Sequence, residues 1–152
     1  MTETLKNRKA PMLRQTVLAA ALVSLAIPAL ADFPREGVAD VPNGIADPFV
    51  GTWCIGFPEG EGMINGDPLV TCDDPVELKA AENGDLVYVS PTGQEVTFGL
   101  EAFAGRTSWI PEYGNSALAV WTSPDAFFSY TVHLQTGKAN WDDPRVYRRC
   151  ED

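Results

Sequence analysis

The chain is poor in the side chains that most enzymes use for acid–base and nucleophilic chemistry. It contains a single histidine, His133, and no Gly-x-Ser-x-Gly segment that would hold a nucleophilic serine on a strained turn. In the strand expected there, His133 lies on the less apolar of the two faces, so we interpret it as a solvent-facing residue rather than a general base. The sequence therefore predicts a protein that is not an enzyme and that uses no cofactor.

Cysteine is also scarce, with three in the chain: Cys54, Cys72 and Cys150. No two of them form a C-x-x-C pair, which argues against the usual redox motif and the usual cysteine zinc site. In an oxidising compartment one disulfide is the ordinary expectation. A hairpin would bring Cys54 to Cys72, whereas closure of a barrel would bring Cys54 to Cys150, and we favour the first pairing. The spare thiol is interpreted as structural or dimer-forming.

Basic side chains are few. The chain has 11 Lys and Arg against 21 Asp and Glu, and four of the basic residues lie within the first 31 positions. The remaining chain carries seven basic and twenty acidic side chains, a net charge of −13. Such a charge repels nucleic acids and anionic membrane surfaces, so we expect no nucleic-acid partner.

The N-terminal segment has the pattern of a secretory signal peptide. A basic region precedes an apolar run at 17–27, and Ala29 and Ala31 are the small residues at the −3 and −1 positions of a cleavage site. The run ends at Pro28 and is shorter than the roughly 20 residues that a membrane span requires. We therefore expect a signal peptide at 1–31, a periplasmic or secreted mature protein, and no stable membrane anchor after cleavage.

Two acidic pairs precede proline, at Asp73-Asp74-Pro75 and Asp142-Asp143-Pro144. Carboxylate oxygens clustered in a loop can bind calcium, but neither segment has the spacing that wraps one ion. Asp before Pro commonly starts a turn, so we interpret both segments as turns and expect no metal.

The rest of the chain is predicted to form one domain preceded by an arm. Residues 32–48 are rich in proline, glycine and aspartate without periodicity, which indicates a flexible arm ahead of a single domain at 49–152. Within that domain, short apolar or alternating runs are separated by turn signals such as Asn83-Gly84, whose residues adopt the positive φ angles of a tight hairpin. The predicted strands are 50–57, 69–72, 76–81, 86–90, 94–100, 117–122, 127–134 and 145–149.

This strand pattern predicts an all-β fold. Eight short strands joined in sequence favour a small antiparallel up-and-down barrel, because closure removes the exposed edges of an open sheet. A β-sandwich is the alternative.

Two features at the ends of this domain resemble the calycin superfamily, which includes the lipocalin and avidin barrels. Gly51-Thr52-Trp53 begins the first predicted strand, and Arg145, Arg148 and Arg149 lie in the last. In that superfamily the tryptophan of a Gly-x-Trp segment closes one end of the barrel, and a basic residue of the final strand packs across its ring. The resemblance therefore implies a structural contact between Trp53 and Arg148. The chain contains no lipocalin Thr-Asp-Tyr motif.

Aromatic side chains in turn-rich stretches are the remaining candidates for binding. Trp109, Tyr113 and Trp121 lie in or beside loops rich in glycine and proline, where they would rim a ligand pocket in the mouth of a barrel. The alternative is that they close the ends of a small core.

Two functions agree with these observations. The first is a periplasmic binding module for a small apolar or amphipathic ligand, which an apolar cavity would favour. The second is a protein-interaction module resembling periplasmic protease inhibitors of the small-barrel type. It would use the arm at 32–48 to reach into a protein partner, and a solid core with a protruding arm would favour it.

Overall fold

A computed structural model describes residues 32–59 and 63–151 of the 152-residue chain. The signal peptide expected at 1–31 lies outside the described residues. A short 3-10 turn at Asp47–Phe49 precedes the strands. These are β1 Gly51–Glu59, β2 Met63–Val70, β3 Val76–Ala80, β4 Leu86–Val89, β5 Glu95–Phe103, β6 Arg106–Pro111, β7 Ser116–Ser123, β8 Ala126–Val132 and β9 Arg145–Arg149.

Eight of these strands close into an antiparallel barrel. Strands β3 to β9 follow one another in sequence order, β3 pairs with the first half of β1, and β9 pairs back to β1. In that closing pair Trp53 lies opposite Arg149. Strand β2 is outside the ring and pairs with the second half of β1, beginning at Ile55 opposite Val70. The predicted all-β barrel is confirmed, and the sandwich alternative is wrong because the sheet has no open edge between β1 and β9.

Aromatic rings fill the barrel interior. Alternate strand residues point inward, and the turn at Asp47–Phe49 adds one more ring at the end of the barrel. The fully buried rings of Phe49, Trp121 and Phe127 lie within 5.2 Å of one another, centroid to centroid. Phe127 also stacks on Tyr147 at 4.5 Å. The interior is therefore a packed core rather than an open cup.

A second, smaller core lies on the outer face of β7, β8 and β9. Phe128 and Tyr130 of β8 point away from the barrel interior and are nevertheless buried, because Phe33 and Trp141 pack over them. Phe127 shares a face of the predicted strand with His133, and we assigned that face to the solvent side, but Phe127 lies inside the barrel. His133 follows the end of β8 and is exposed.

The segment 32–48 lies against the barrel. The backbone N–H of Gly37 donates to the carbonyl of Gly105 at 2.9 Å, and that of Val38 donates to the carbonyl of Trp121 at 3.0 Å. Val41 and Ala46 are buried in the main core. The segment therefore covers one end of the barrel instead of projecting from it as an arm.

The disulfide joins Cys72 to Cys150, with a Cα–Cα distance of 5.5 Å, so both pairings expected of Cys54 are wrong. The hairpin argument assumed that β1 and β2 pair along their whole length. Instead, β2 ends at Val70 and β3 becomes the partner of β1 at Trp53. Cys150 donates its N–H to the carbonyl of Thr52, beside this change of partner. Cys54 is left as a half-buried free thiol.

Candidate functional site

The basic residue that packs across Trp53 is Arg149, not the expected Arg148. The guanidinium carbon of Arg149 lies 4.3 Å from the Trp53 ring centroid, while Arg148 is opposite Cys54 in the register. Successive strand residues point to opposite faces, so an error of one residue changes the face. The indole N–H of Trp53 donates to the carbonyl of Phe49 at 2.8 Å. This contact is part of the barrel closure.

The three aromatic residues expected at a ligand pocket do not share one site. Trp109 is 2% exposed and Trp121 is 1% exposed, and both belong to the main core. Their indole N–H groups are buried without an acceptor in the described part of the chain. Tyr113 is 83% exposed and lines a surface depression with Val96 and Ile110, to which neither tryptophan contributes.

No metal-type cluster is found in the part of the chain that the structure describes. Within 32–59 and 63–151, no three His, Cys, Asp or Glu side chains come together in a way that suits a metal ion. His133 lies in the turn after β8, where its backbone N–H donates to the carbonyl of Lys138 at 3.1 Å. Over the same residues, the structure contains no helix long and apolar enough to span a membrane.

A groove of about 470 Å³ lies on the outer surface of the barrel, across β5 to β8. We call it the outer groove. Its floor comes from outward-facing residues of β6, β7 and β8, and its walls come from the end of β5 and from the segment that follows β8. The lining residues are Phe103, Arg106, Ser108, Leu118, Val132, Gly137, Lys138, Ala139 and Trp141.

Trp141 forms a fixed wall of this groove. Its ring lies 4.7 Å from that of Tyr130, and the guanidinium carbons of Arg35 and Arg106 each lie 5.2 Å from its centroid. Arg106 Nε donates to the carbonyl of Arg35, and the Tyr130 hydroxyl donates to the carbonyl of Pro34. Burial raises the pKa of Tyr130, so its phenol keeps the proton that this hydrogen bond needs. The segment 32–48 therefore helps to position Trp141.

Positive charge is concentrated at the outer groove. Two of its nine lining residues, Arg106 and Lys138, are cationic, and none is acidic. Neither makes an ion pair with a carboxylate of the described residues, whereas other cations of the chain are paired. Those pairs are Lys79 with Glu77, Arg145 with Asp143 and Arg149 with Asp125. In so acidic a protein, the groove is a local positive region.

The chain has no match among family models, curated proteins or solved structures. The chemistry of the outer groove therefore has to be argued from its own residues. Sequence reasoning missed this groove because its lining comes from positions 103 to 141, on four strands and one connecting segment. The one signal in the sequence was Trp141, which precedes the turn at Asp142-Asp143. From the sequence alone we interpret such a tryptophan as closing the end of the core.

Proposed function

We propose that the chain is an exported, non-catalytic binding module, built on a calycin-like barrel, that takes a small apolar ligand in the outer groove. The outer groove is the observation that carries this proposal. Its volume of about 470 Å³ is in the range of small-molecule sites, roughly 300–1,000 Å³. Phe103 and Trp141 supply aromatic walls and Leu118 supplies an apolar floor, the usual composition of such a site.

The barrel interior supports this function less well than the outer groove. The rings of Phe49, Trp109 and Phe127 lie within 5.7 Å of one another, centroid to centroid, in the space where a barrel-type ligand would sit. An interior ligand would have to displace this core, at a cost of several kcal/mol for each large aromatic side chain. Binding on the outer face needs no such displacement.

The protein-interaction alternative depended on a free arm. Residues 32–48 instead donate hydrogen bonds to the barrel and bury Val41 and Ala46. Reaching into a partner would require those contacts to break. The alternative therefore loses the feature that favoured it.

Export of the module is supported by two independent features. The segment 1–31 has the pattern of a signal peptide. Cys72 and Cys150 form a disulfide, and such bonds are typical of compartments outside the cytosol.

The proposal is tested by titrating the mature protein with N-phenyl-1-naphthylamine, an uncharged probe that fluoresces in apolar sites. Phe103 is 65% exposed, so Phe103→Ala removes a groove wall without opening a core. We expect this variant to bind the probe about tenfold more weakly, the usual effect of losing one important aromatic contact.

Val96→Ala is the matched control, because Val96 is an exposed apolar side chain that does not line the groove. It should leave probe affinity unchanged. The proposed function is wrong if the protein does not bind the probe, or if the two variants bind it equally well. Thermal unfolding of both variants checks that each remains folded.

A further inference from the structure

The cationic residues of the outer groove indicate the charge of its ligand. We propose that the groove selects a small aromatic or apolar molecule that carries an anionic group, such as a carboxylate or a sulfonate. This inference rests on the proposed function, because it describes the ligand of the same site. Three observations carry it: the geometry of Arg106, the position of Lys138, and the placement of the nearby carboxylates.

Arg106 presents part of its guanidinium to the groove. Its Nε donates to the carbonyl of Arg35, and its guanidinium lies over the ring of Trp141. These two contacts fix the plane of the guanidinium. The terminal nitrogens Nη1 and Nη2 make no hydrogen bond to another described residue, so they remain as a planar pair of donors of the kind that binds a carboxylate with two parallel hydrogen bonds.

Lys138 supplies a second positive charge from the segment that follows β8. Its backbone is held in the turn, because its N–H donates to Thr136 Oγ1 at 3.3 Å and its carbonyl accepts from the N–H of His133 at 3.1 Å. Its side chain is exposed and makes no ion pair with a described carboxylate. The backbone therefore anchors Lys138 at the groove, and its ammonium, on a flexible side chain, is available to a ligand.

Three carboxylates lie near these cations, and none of them is ion-paired with a cation of the groove. Glu36 lies against Gly105, Asp142 follows Trp141, and Glu101 lies opposite the groove residue Ser108 in the pairing of β5 with β6. None comes within the 4.0 Å of an ion pair with Arg35, Arg106 or Lys138. With a net charge of −13 after residue 31, most of the surface repels an anion. The outer groove combines local attraction with an apolar wall, and weaker solvent screening beside such a wall strengthens the attraction.

The test compares two probes that share an aromatic body. N-phenyl-1-naphthylamine is uncharged, and 8-anilinonaphthalene-1-sulfonate carries a sulfonate. We expect the native protein to bind the sulfonate more tightly. Lys138→Gln should weaken sulfonate binding about threefold to fivefold, the effect of one partly screened charge pair, and should change binding of the uncharged probe by less than twofold.

Lys79→Gln is the matched control, since it removes the same charge from β3, where Lys79 pairs with Glu77 away from the groove. It should leave sulfonate affinity unchanged. Sulfonate binding should also weaken as salt rises from 0.05 to 0.5 M, while binding of the uncharged probe should not, because only the former depends on screened charges.

The outcomes separate this inference from the proposed function. If the uncharged probe binds and depends on Phe103, but the sulfonate binds no better, the inference is overturned and the proposed function stands. Equal losses of sulfonate affinity in Lys138→Gln and Lys79→Gln would also overturn it, because they would reflect net charge alone. If neither probe depends on Phe103, both proposals fall.

Discussion

Arg149 lies over the indole ring of Trp53 at 4.3 Å, and so joins the last strand of the barrel to the first. The same guanidinium donates to the carbonyls of Val50 at 2.7 Å, Pro48 at 2.8 Å and Pro124 at 3.2 Å. One side chain therefore contacts the segment just before β1, the turn before β8, and the core tryptophan. We therefore expect this residue to stabilise the closure of the ring.

Replacing Arg149 should destabilise the whole barrel. We expect Arg149→Met to lower the free energy of unfolding by about 2–4 kcal/mol, because three carbonyl acceptors and the Trp53 ring lose a charged partner. Urea denaturation followed by tryptophan fluorescence measures the change. Lys79→Met removes a cation from an exposed pair and should change stability by less than about 1 kcal/mol. Equal effects of the two substitutions would show that Arg149 does not close the ring.

Gly51 is required by its own backbone conformation, and the same guanidinium crowds it. Its φ is +140°, and a Cβ at this position would lie 2.7 Å from Arg149 Nη1. Gly84 has a φ of +87° with no atom within 4 Å of such a Cβ, so Gly84→Ala carries the backbone strain alone. We expect Gly51→Ala to cost about 1–3 kcal/mol more than Gly84→Ala in chemical denaturation, because a φ of +140° is less accessible to alanine than one of +87° and because the added methyl group would crowd Arg149. The interpretation fails if Gly84→Ala costs as much as Gly51→Ala.

The strands were predictable from the sequence wherever alternating apolar residues and turn residues marked them locally. The bounds of β9, Arg145–Arg149, and the start of β3 at Val76 agree with the sequence prediction. Strand β6 was missed because its apolar residues do not alternate: Thr107 points inward beside Trp109. The burial of the Thr107 hydroxyl is tolerated because the backbone N–H of Gly44 donates to it at 3.0 Å. The two residues are 63 positions apart, so no local sequence pattern could indicate this contact.

The candidate site was harder to predict than the fold. The face of β8 that carries Phe127 was assigned to solvent, but Phe127 lies inside the barrel. Phe128 and Tyr130 lie on the outer face, where Phe33 and Trp141 cover them. A strand buried on both faces carries apolar residues on both, so alternation no longer identifies the inner face. The outer groove depends on this covering layer, and its existence could not be inferred from β8 alone.

The disulfide assignment gives a direct chemical test. Under native oxidising conditions the mature protein should contain one free thiol, and peptide mapping should place the label on Cys54. The double variant Cys72→Ser/Cys150→Ser should lose about 2–4 kcal/mol of stability, because the bond closes a loop of 78 positions. Cys54→Ser is the control and should retain the bond. Label on Cys72 or Cys150 in the native protein would contradict the assignment.

Two buried tyrosines predict a loss of stability in alkali. Burial raises the pKa of Tyr147 and of Tyr130, so the folded protein retains protons that the unfolded chain releases above about pH 10. The free energy of unfolding should therefore fall with rising pH above that point, by about 1.4 kcal/mol per pH unit for each tyrosine. Urea denaturation at pH 9, 10 and 11 measures the slope.

The variant Tyr147→Phe should reduce that slope, since the proton of Tyr147 is no longer involved. Tyr113→Phe is the control, because the Tyr113 ring is 83% exposed and stays in contact with solvent after folding. If the free energy of unfolding falls with pH at the same rate in both variants, Tyr147 does not contribute to the loss of stability in alkali.

The extra layer over β7, β8 and β9 makes the barrel wall uneven in thickness. On this side the chain is three layers deep, from Phe127 inside, through the strand, to Trp141 outside, whereas outward-facing residues of β3 such as Glu77 and Lys79 meet solvent. Local opening starts where few apolar contacts hold the backbone, so amide hydrogens should exchange first on the thin side and last in β8. The outer groove lies on the thick side. The ligand that we propose for this groove would therefore meet a well-packed surface, and we expect it to lose little conformational entropy of the protein on binding.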